Sequence, residues 1–303
     1  MTSTLHQPAE LRAQGPFDLA ASARFLEAFT PAARPDAAGE PGTLRFAFPV
    51  DGSRWHAGVL VRQRAPGTVE MSVVAEGEAV EPAISQARRI LSLDVDGGGF
   101  STIGAKDPVV GELQARYPGL RPVLFHSPYE AACWTIITNR IRTTQAARIK
   151  QRIAENYGEI VEVDGQRLAS FPAPEALQQI EQPLGLPEVK IGRLRATARA
   201  AQEGLLEAES LRALDAEEAL RQLQRLPGIG PFSAQLILVR GAGHPDVFPD
   251  KEARLHAEMR ELYGLPEATV ADLAEVAESW RPYRSWIALL FRAHREIRPA
   301  APS

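Results

Sequence analysis

The chain has 303 residues, 45% of them apolar and 24% charged, and a formal net charge of −4, a composition that suits one to three folded domains and lacks the basic excess of a nonspecific nucleic-acid coat. A single cysteine, Cys133, excludes a disulfide framework and an all-cysteine metal cluster. No basic start leads into an apolar run, and no stretch approaches the ~18 consecutive apolar residues of a membrane span, so a protein without a leader or a membrane partner is expected.

Leu19–Phe29 reads as a short helix and the Pro-, Ala- and Gly-rich run Pro31–Gly42 as a loop. Leu44–Val50, Trp55–Arg64 and Thr68–Val74 are rich in strand formers and are separated by the turn pairs Asp51-Gly52 and Pro66-Gly67. In the last of these Val69, Met71 and Val73 alternate with Thr68, Glu70 and Ser72, the period of a half-buried strand. Pro82–Leu91 reads as a helix. Residues 1–98 are therefore expected to form a small α/β domain with an antiparallel sheet, ending at the glycine run 97–99.

From Ser127 onward the chain reads as helical. Ser127 is a cap, Pro128 lies in the first turn, and Glu130 stands three residues on from the cap. A break is expected near Asn139–Thr143, a turn at Phe171–Glu175, and an amphipathic helix over Lys190–Glu203. This gives a helical domain over 99–210, followed by 211–303, whose C-terminal helices are expected to pack on the helical domain. Basic residues gather at Arg140–Arg152 and again at Arg281–Arg298, acidic ones at Glu203–Glu218, so a positive face on an acidic protein and solvated helix faces are both open readings.

The most informative stretch is 215–241. Asp215 caps a helix and Glu218 is placed to close a capping box, while Ala219, Leu220, Leu223 and Leu226 return at helical spacing. Pro227 stops that helix, because it lacks an amide hydrogen and clashes one turn back. Gly228 and Gly230 bracket Ile229, letting the backbone turn sharply around an apolar anchor. Pro231 opens a second helix running to Gly241. The amides of such a turn and of the next helix start suit the anionic oxygens of a phosphodiester and carry no base specificity; a mere tight connection between helices is the plainer alternative.

With Leu226-Pro227-Gly228-Ile229-Gly230, Ala234, Arg240-Gly241 and Pro245-Asp246-Val247-Phe248-Pro249 together, the sequence resembles the helix-hairpin-helix DNA glycosylases, specifically the bacterial 3-methyladenine DNA glycosylase II branch. Leu93-Asp94-Val95-Asp96, Pro118-Gly119-Leu120-Arg121, Phe171-Pro172-Ala173-Pro174 and Trp280-Arg281-Pro282-Tyr283-Arg284-Ser285 extend the resemblance over residues 15–295. It implies a mostly α fold, a helix-hairpin-helix glycosylase core with an N-terminal antiparallel-sheet domain like half of a TATA-binding protein. It also implies a monomeric, cytoplasmic enzyme working beside the chromosome on double-stranded DNA with damaged bases, alkylated purines foremost.

The resemblance assigns the backbone grip to Leu226, Gly228, Ile229, Gly230 and Ser233, with a monovalent cation on the hairpin carbonyls and no other cofactor. The family's catalytic aspartate stands four residues after the phenylalanine of Asp-Val-Phe, which here is Glu252; Asp250 is the alternative if the loop register differs. The extra methylene is roughly 1 Å of reach, where such displacements cost about 10²-fold in rate, so a weakened enzyme or a binding-only relative stays open. The lyase lysine of related enzymes is replaced by Phe232, which implies a monofunctional hydrolase and an aromatic in the base pocket or the core. Trp134, Leu236 and Arg292 complete the implied pocket. Because Leu236 and Arg292 fall where the branch has aromatics, neutral deaminated bases are a second substrate class. Arg140 takes the wedge position and Asn139 the position facing the opposite base. The six histidines show no paired metal-ligand spacing.

Overall fold

The computed structural model describes residues 8–28, 40, 42–181 and 184–297. Within these, strands β1 (Ala9–Arg12), β2 (Thr43–Pro49), β3 (His56–Ala65) and β4 (Thr68–Val74) form one antiparallel sheet in the order β1-β4-β3-β2. The three predicted strands are all present. β1 carried no sequence signal, since it pairs only at the edge, through Ala9–Arg12 opposite Thr68–Met71. The predicted loop Pro31–Gly42 lies outside the described residues apart from Glu40 and Gly42.

The alternation in β4 buries Val69, Met71 and Val73 against α1 (Leu19–Ala28) and α2 (Val80–Ile90), but Ser72 is buried as well. The other face of the sheet is covered by a second hairpin, β5 (Ile160–Val163) and β6 (Gln166–Ala169), whose Val161 and Val163 pack on Ala47, Leu60 and Val74. Contact there is close enough that a Cβ on Gly58 would stand 2.3 Å from Val163 Cγ2. Asp164 at the hairpin tip pairs with Arg45 at 2.5 Å and Arg62 at 2.8 Å.

The helices follow as α3 (Phe100–Lys106), α4 (Pro108–Arg116), α5 (Pro128–Thr138), α6 (Thr143–Tyr157), α7 (Pro174–Gln178), α8 (Glu188–Gln202), α9 (Ala208–Ala213), α10 (Ala216–Leu223), α11 (Pro231–Leu236), α12 (Ala253–Tyr263), α13 (Val270–Glu278) and α14 (Arg284–Ile297). The chain is thus mostly helical, with an N-terminal sheet domain. Two large apolar clusters divide it. One spans buried residues from Phe125 to Val247; the other joins Phe17–Val123 to Phe248–Ala293. The buried stripe of α14, including Trp286, Leu290 and Phe291, packs on α3 and α4, the first helices of the expected helical domain, and also on α1 and the sheet domain. At that end Trp280 stacks on Phe291 at 5.4 Å, and Trp286 meets Phe100 of α3 edge to face at 5.3 Å.

Two buried charges tie these layers. Arg121 donates from Nε to the Pro16 carbonyl at 2.9 Å and from Nη1 to those of Ser92 and Val95 at 2.9 and 3.2 Å, reaches the Gln14 carbonyl through Nη2, and lies 5.0 Å from the Trp286 ring centre. Glu130, on α5, makes half of the predicted cap interaction: its amide donates to Ser127 Oγ at 3.0 Å. Its carboxylate instead meets His126 Nδ1 at 3.0 Å and Lys150 Nζ at 2.5 Å. Burial alone would raise the Glu130 pKa, but these two partners outweigh it and hold the group far below the usual carboxylate range. Lys150 is thereby committed to the interior and withdrawn from the basic cluster read in the sequence.

Candidate nucleic-acid interface and active site

α10 begins as expected, with Asp215 Oδ1 accepting from the amides of Glu217 and Glu218 at 2.9 and 3.3 Å. The reciprocal half of the capping box is not made. The carboxylate of half-buried Glu218 pairs with Arg221 at 2.7 Å, one turn along. Past the helix, the Ile229 amide donates to the Leu226 carbonyl at 3.1 Å and both side chains are buried, which pins the turn from inside. Gly228 adopts φ +90°, which a side chain would strain. A Cβ on Gly230 would meet nothing within 4 Å, so the turn is open on that side. Among the described residues the amides of Gly228 and Gly230 donate to no backbone carbonyl. Ser233 sits half-buried in the first turn of α11, and Phe232 holds its ring 51% exposed.

The second helix does not run regularly to Gly241. α11 ends at Leu236 and the chain widens into a π-helical turn over Ile237–Ala242. Here Gly241 presses on the start of α5, where a Cβ would lie 2.8 Å from Pro128 Cα. The expected break after α5 is real: Asn139 and Arg140 are exposed, the Ile141 amide closes the turn on the Thr138 carbonyl at 3.1 Å, and Arg140 has φ +58°. Lys190 Nζ donates to the carbonyls of Ile137 and Asn139, both at 2.7 Å, and holds this turn. Burial, and secondarily the nearby Arg193, lowers the Lys190 pKa.

The loop after the π turn is fastened before it reaches the carboxylates. Asp246 Oδ1 accepts Arg284 Nε at 2.8 Å, Asp246 Oδ2 accepts Arg281 Nη1 at 2.8 Å, and Ser285 Oγ accepts the Val247 amide at 3.0 Å. Asp250 faces α11: Oδ1 accepts from Gln235 Nε2 at 2.7 Å and Oδ2 from Lys251 Nζ at 2.7 Å. Partial burial opposes its ionisation, but hydrogen bonds from Lys251 and Gln235 outweigh this and bring its pKa below the usual value. Gln235 is itself buried, and its Oε1 accepts the Lys251 amide at 3.0 Å. Glu252 lies at the start of α12 and pairs with Arg292 of α14, which also pairs with Glu296.

The residues expected to line a base pocket therefore divide. Phe232 presents its ring to solvent, and Leu236 and Arg292 are half-buried. Trp134 is 4% exposed, 6.4 Å from the Phe125 ring inside the helical core, so it corrects the pocket assignment: α5 is buried along nearly its whole length, and its tryptophan has no open face. Gln235, Lys190 and Arg193 went unassigned in the sequence reading. For Gln235 the signal was a polar residue on the buried stripe between Ala234 and Leu238; for Lys190 the sequence offered none beyond its place among other basic residues.

Residues 133–282, which include the hairpin and the carboxylate loop, match the HhH-GPD superfamily of base excision DNA repair proteins. Among curated proteins, the chain is 28% identical over 235 residues to a probable bifunctional transcriptional activator/DNA repair enzyme AlkA of Mycobacterium tuberculosis, a match covering 77% of this chain and 47% of that protein. The chain thus spans about half the length of that relative. It is 31% identical over 184 residues to DNA-3-methyladenine glycosylase 2 of Escherichia coli, covering 59% of this chain and 62% of the other. Among solved structures, its fold is similar to that of a 3-methyladenine DNA glycosylase from Archaeoglobus fulgidus, with a TM-score of 0.77 and 21% identity, over 97% of this chain and all of that one.

Proposed function

This chain belongs to the HhH-GPD superfamily and is related to the 3-methyladenine DNA glycosylase II family, and from that premise we propose that it is a monofunctional DNA glycosylase. In this reading it works as a cytoplasmic monomer on duplex DNA and hydrolyses the bond between a flipped, damaged base and its sugar. The observation that carries the reading is the double duty of α11. Its first residues follow the open Gly228–Gly230 turn, and its Gln235 fixes the loop that bears Asp250 and Glu252. One short helix thus relates a phosphate grip to an acidic group.

The turn amides and the start of α11 seat a phosphate oxygen, while Arg140 enters the gap left by the base and Asn139 faces the base opposite. The turn carbonyls of residues 226–230, neutral oxygen donors with no carboxylate among them, would hold the monovalent cation that the resemblance implies, and such an ion would supply positive charge beside the phosphate. Phe232, in the position of a lyase lysine, stacks on the flipped base and leaves water as the nucleophile. Glu252 stabilises the positive charge that builds on the sugar as the bond breaks. Its pairing with Arg292 restrains the longer side chain that replaces the family's aspartate. Alkylated purines are the first substrate class, and Leu236 and Arg292 in place of pocket aromatics keep neutral deaminated bases as the second.

The same ion pair favours one other reading. A carboxylate already neutralised by a guanidinium is a weaker partner for a cationic sugar, which suits a DNA-binding relative with reduced catalysis. Duplexes carrying 3-methyladenine, 7-methylguanine, 1,N6-ethenoadenine, hypoxanthine or uracil, treated with protein and then alkali, separate the two. Strand cleavage after alkali is expected with at least one lesion, reduced about 10²-fold or more in Glu252→Gln and retained in Asp250→Asn. Retained duplex affinity with no base released from any of them would leave the binding-only reading standing.

A further inference from the structure

Both the wedge turn and the hairpin are met by side chains of α8. Lys190 reaches the wedge turn, with Nζ on the carbonyls of Ile137 and Asn139. One helical turn along, Arg193 reaches the hairpin. A Cβ built on Gly228 would stand 2.6 Å from Arg193 Cδ, 3.0 Å from Nε and 3.3 Å from Cζ, so the arm and guanidinium lie across the positive-φ residue of the turn. Among the described residues the Arg193 guanidinium has no carboxylate partner and makes no hydrogen bond. Its neighbour Arg195, by contrast, bonds the Ile180 carbonyl and faces Glu188 at 3.6 Å. Ile191 and Leu194, next to Lys190 and Arg193 in the chain, are fully buried in the helical core, so both arms start from a fixed base.

We infer that α8 is a strut that registers the wedge turn against the phosphate grip. Arg193 contributes a guanidinium contact to the phosphate seated at Leu226–Gly230. Lys190 is a positioning residue that holds Asn139 and Arg140 at the separation from that phosphate which insertion into the stack requires. The inference rests on the reading that the hairpin binds duplex DNA. Turn amides offer only dipoles, whereas a guanidinium brings a full charge and a donor fork that matches phosphate. Arg140 at φ +58° occupies a conformation that a residue with a side chain keeps only when neighbours impose it, and the two carbonyl bonds from Lys190 supply that constraint.

The test uses a duplex with 2-aminopurine at the lesion position, its binding followed by anisotropy across salt concentrations and its unstacking by fluorescence. Each phosphate contact by a cation adds about 0.9 to the slope of log affinity against log salt. Arg193→Gln is expected to flatten the slope by about 0.9 and to weaken binding about tenfold at low salt, with Arg193→Lys restoring the slope. Lys190→Gln is expected to keep the wild-type slope and lose most of the fluorescence rise at saturation. Lys190→Arg, which retains the buried charge but lengthens the arm, is expected to lose part of it, and serves should the glutamine variant fail to fold. A wild-type slope in Arg193→Gln, or a full fluorescence rise in both Lys190 variants, would overturn the strut. A wild-type protein with no salt-dependent duplex affinity would remove the hairpin reading as well, which tells the two failures apart.

Discussion

The grip at Leu226–Gly230 is assembled from backbone and from near neighbours, whereas the carboxylates beyond it are placed by partners 15 and 40 residues away, Gln235 for Asp250 and Arg292 for Glu252. The buried anchors of the grip, Leu226 and Ile229, belong to one apolar cluster; the carboxylate loop passes from that cluster to the other between Val247 and Phe248. A turn whose shape follows from glycine, proline and one buried isoleucine holds its form if the surrounding helices drift. A carboxylate held by a guanidinium on another element does not. Binding and chemistry in this chain are therefore exposed to different substitutions.

That contrast can be broken from either side. The largest effect is expected at the start of α5, where Glu130→Gln strips His126 and Lys150 of their buried partner and should cost about 3 kcal/mol in denaturant unfolding at neutral pH. Because the folded-state pKa of Glu130 is depressed, its contribution is present above its ordinary value of 4.5 and is lost as the pH falls further. The gap between wild type and variant should therefore narrow below about pH 4.5; a constant gap would show that packing and not charge supplies the effect. Gly228→Ala should destabilise by roughly 2 kcal/mol, from a side chain at φ +90° set against Arg193, and should weaken duplex binding while leaving the Glu252–Arg292 pair intact.

Arg292→Met probes the other side. Releasing Glu252 from its tether should lower base release on the order of tenfold with unchanged duplex affinity, and a faster variant would instead show that the guanidinium silences the carboxylate. The smallest effect on the fold belongs to Phe232→Ala. Its ring is half exposed, so unfolding should shift by under ~0.5 kcal/mol, yet binding of a flipped-base duplex should lose about 1 kcal/mol of stacking. Equal losses in both measurements would return Phe232 to the core.

The same contrast decides what was legible in the sequence. Strands β2–β4 and the break between α5 and α6 follow from period, turn pairs and caps, all local signals. The hairpin followed from Pro227, Gly228 and Gly230 without any distant residue. The second sheet hairpin did not, because β5 and β6 are four residues each with exposed outer positions, and their purpose, covering Leu60 and Val74, is visible only once the sheet exists. Glu252 was reached through the family resemblance, but its partner was not: Arg292 reads as a pocket residue until α14 is seen to bring it against the start of α12. Trp134 misled for the opposite reason, since an aromatic near the expected cleft is indistinguishable in sequence from one that fills the core.

The boundary between the two apolar clusters is crossed by the main chain close to Val123–Phe125 and again at Val247–Phe248. The first crossing is bound to the π turn: the Phe125 amide donates to the Arg240 carbonyl at 2.8 Å, and Arg240 Nη2 donates to the Val123 carbonyl at 2.7 Å. Glu252 follows the second crossing by four residues and pairs with Arg292 of the other cluster's last helix, so the candidate carboxylate sits on the seam where the two cores meet.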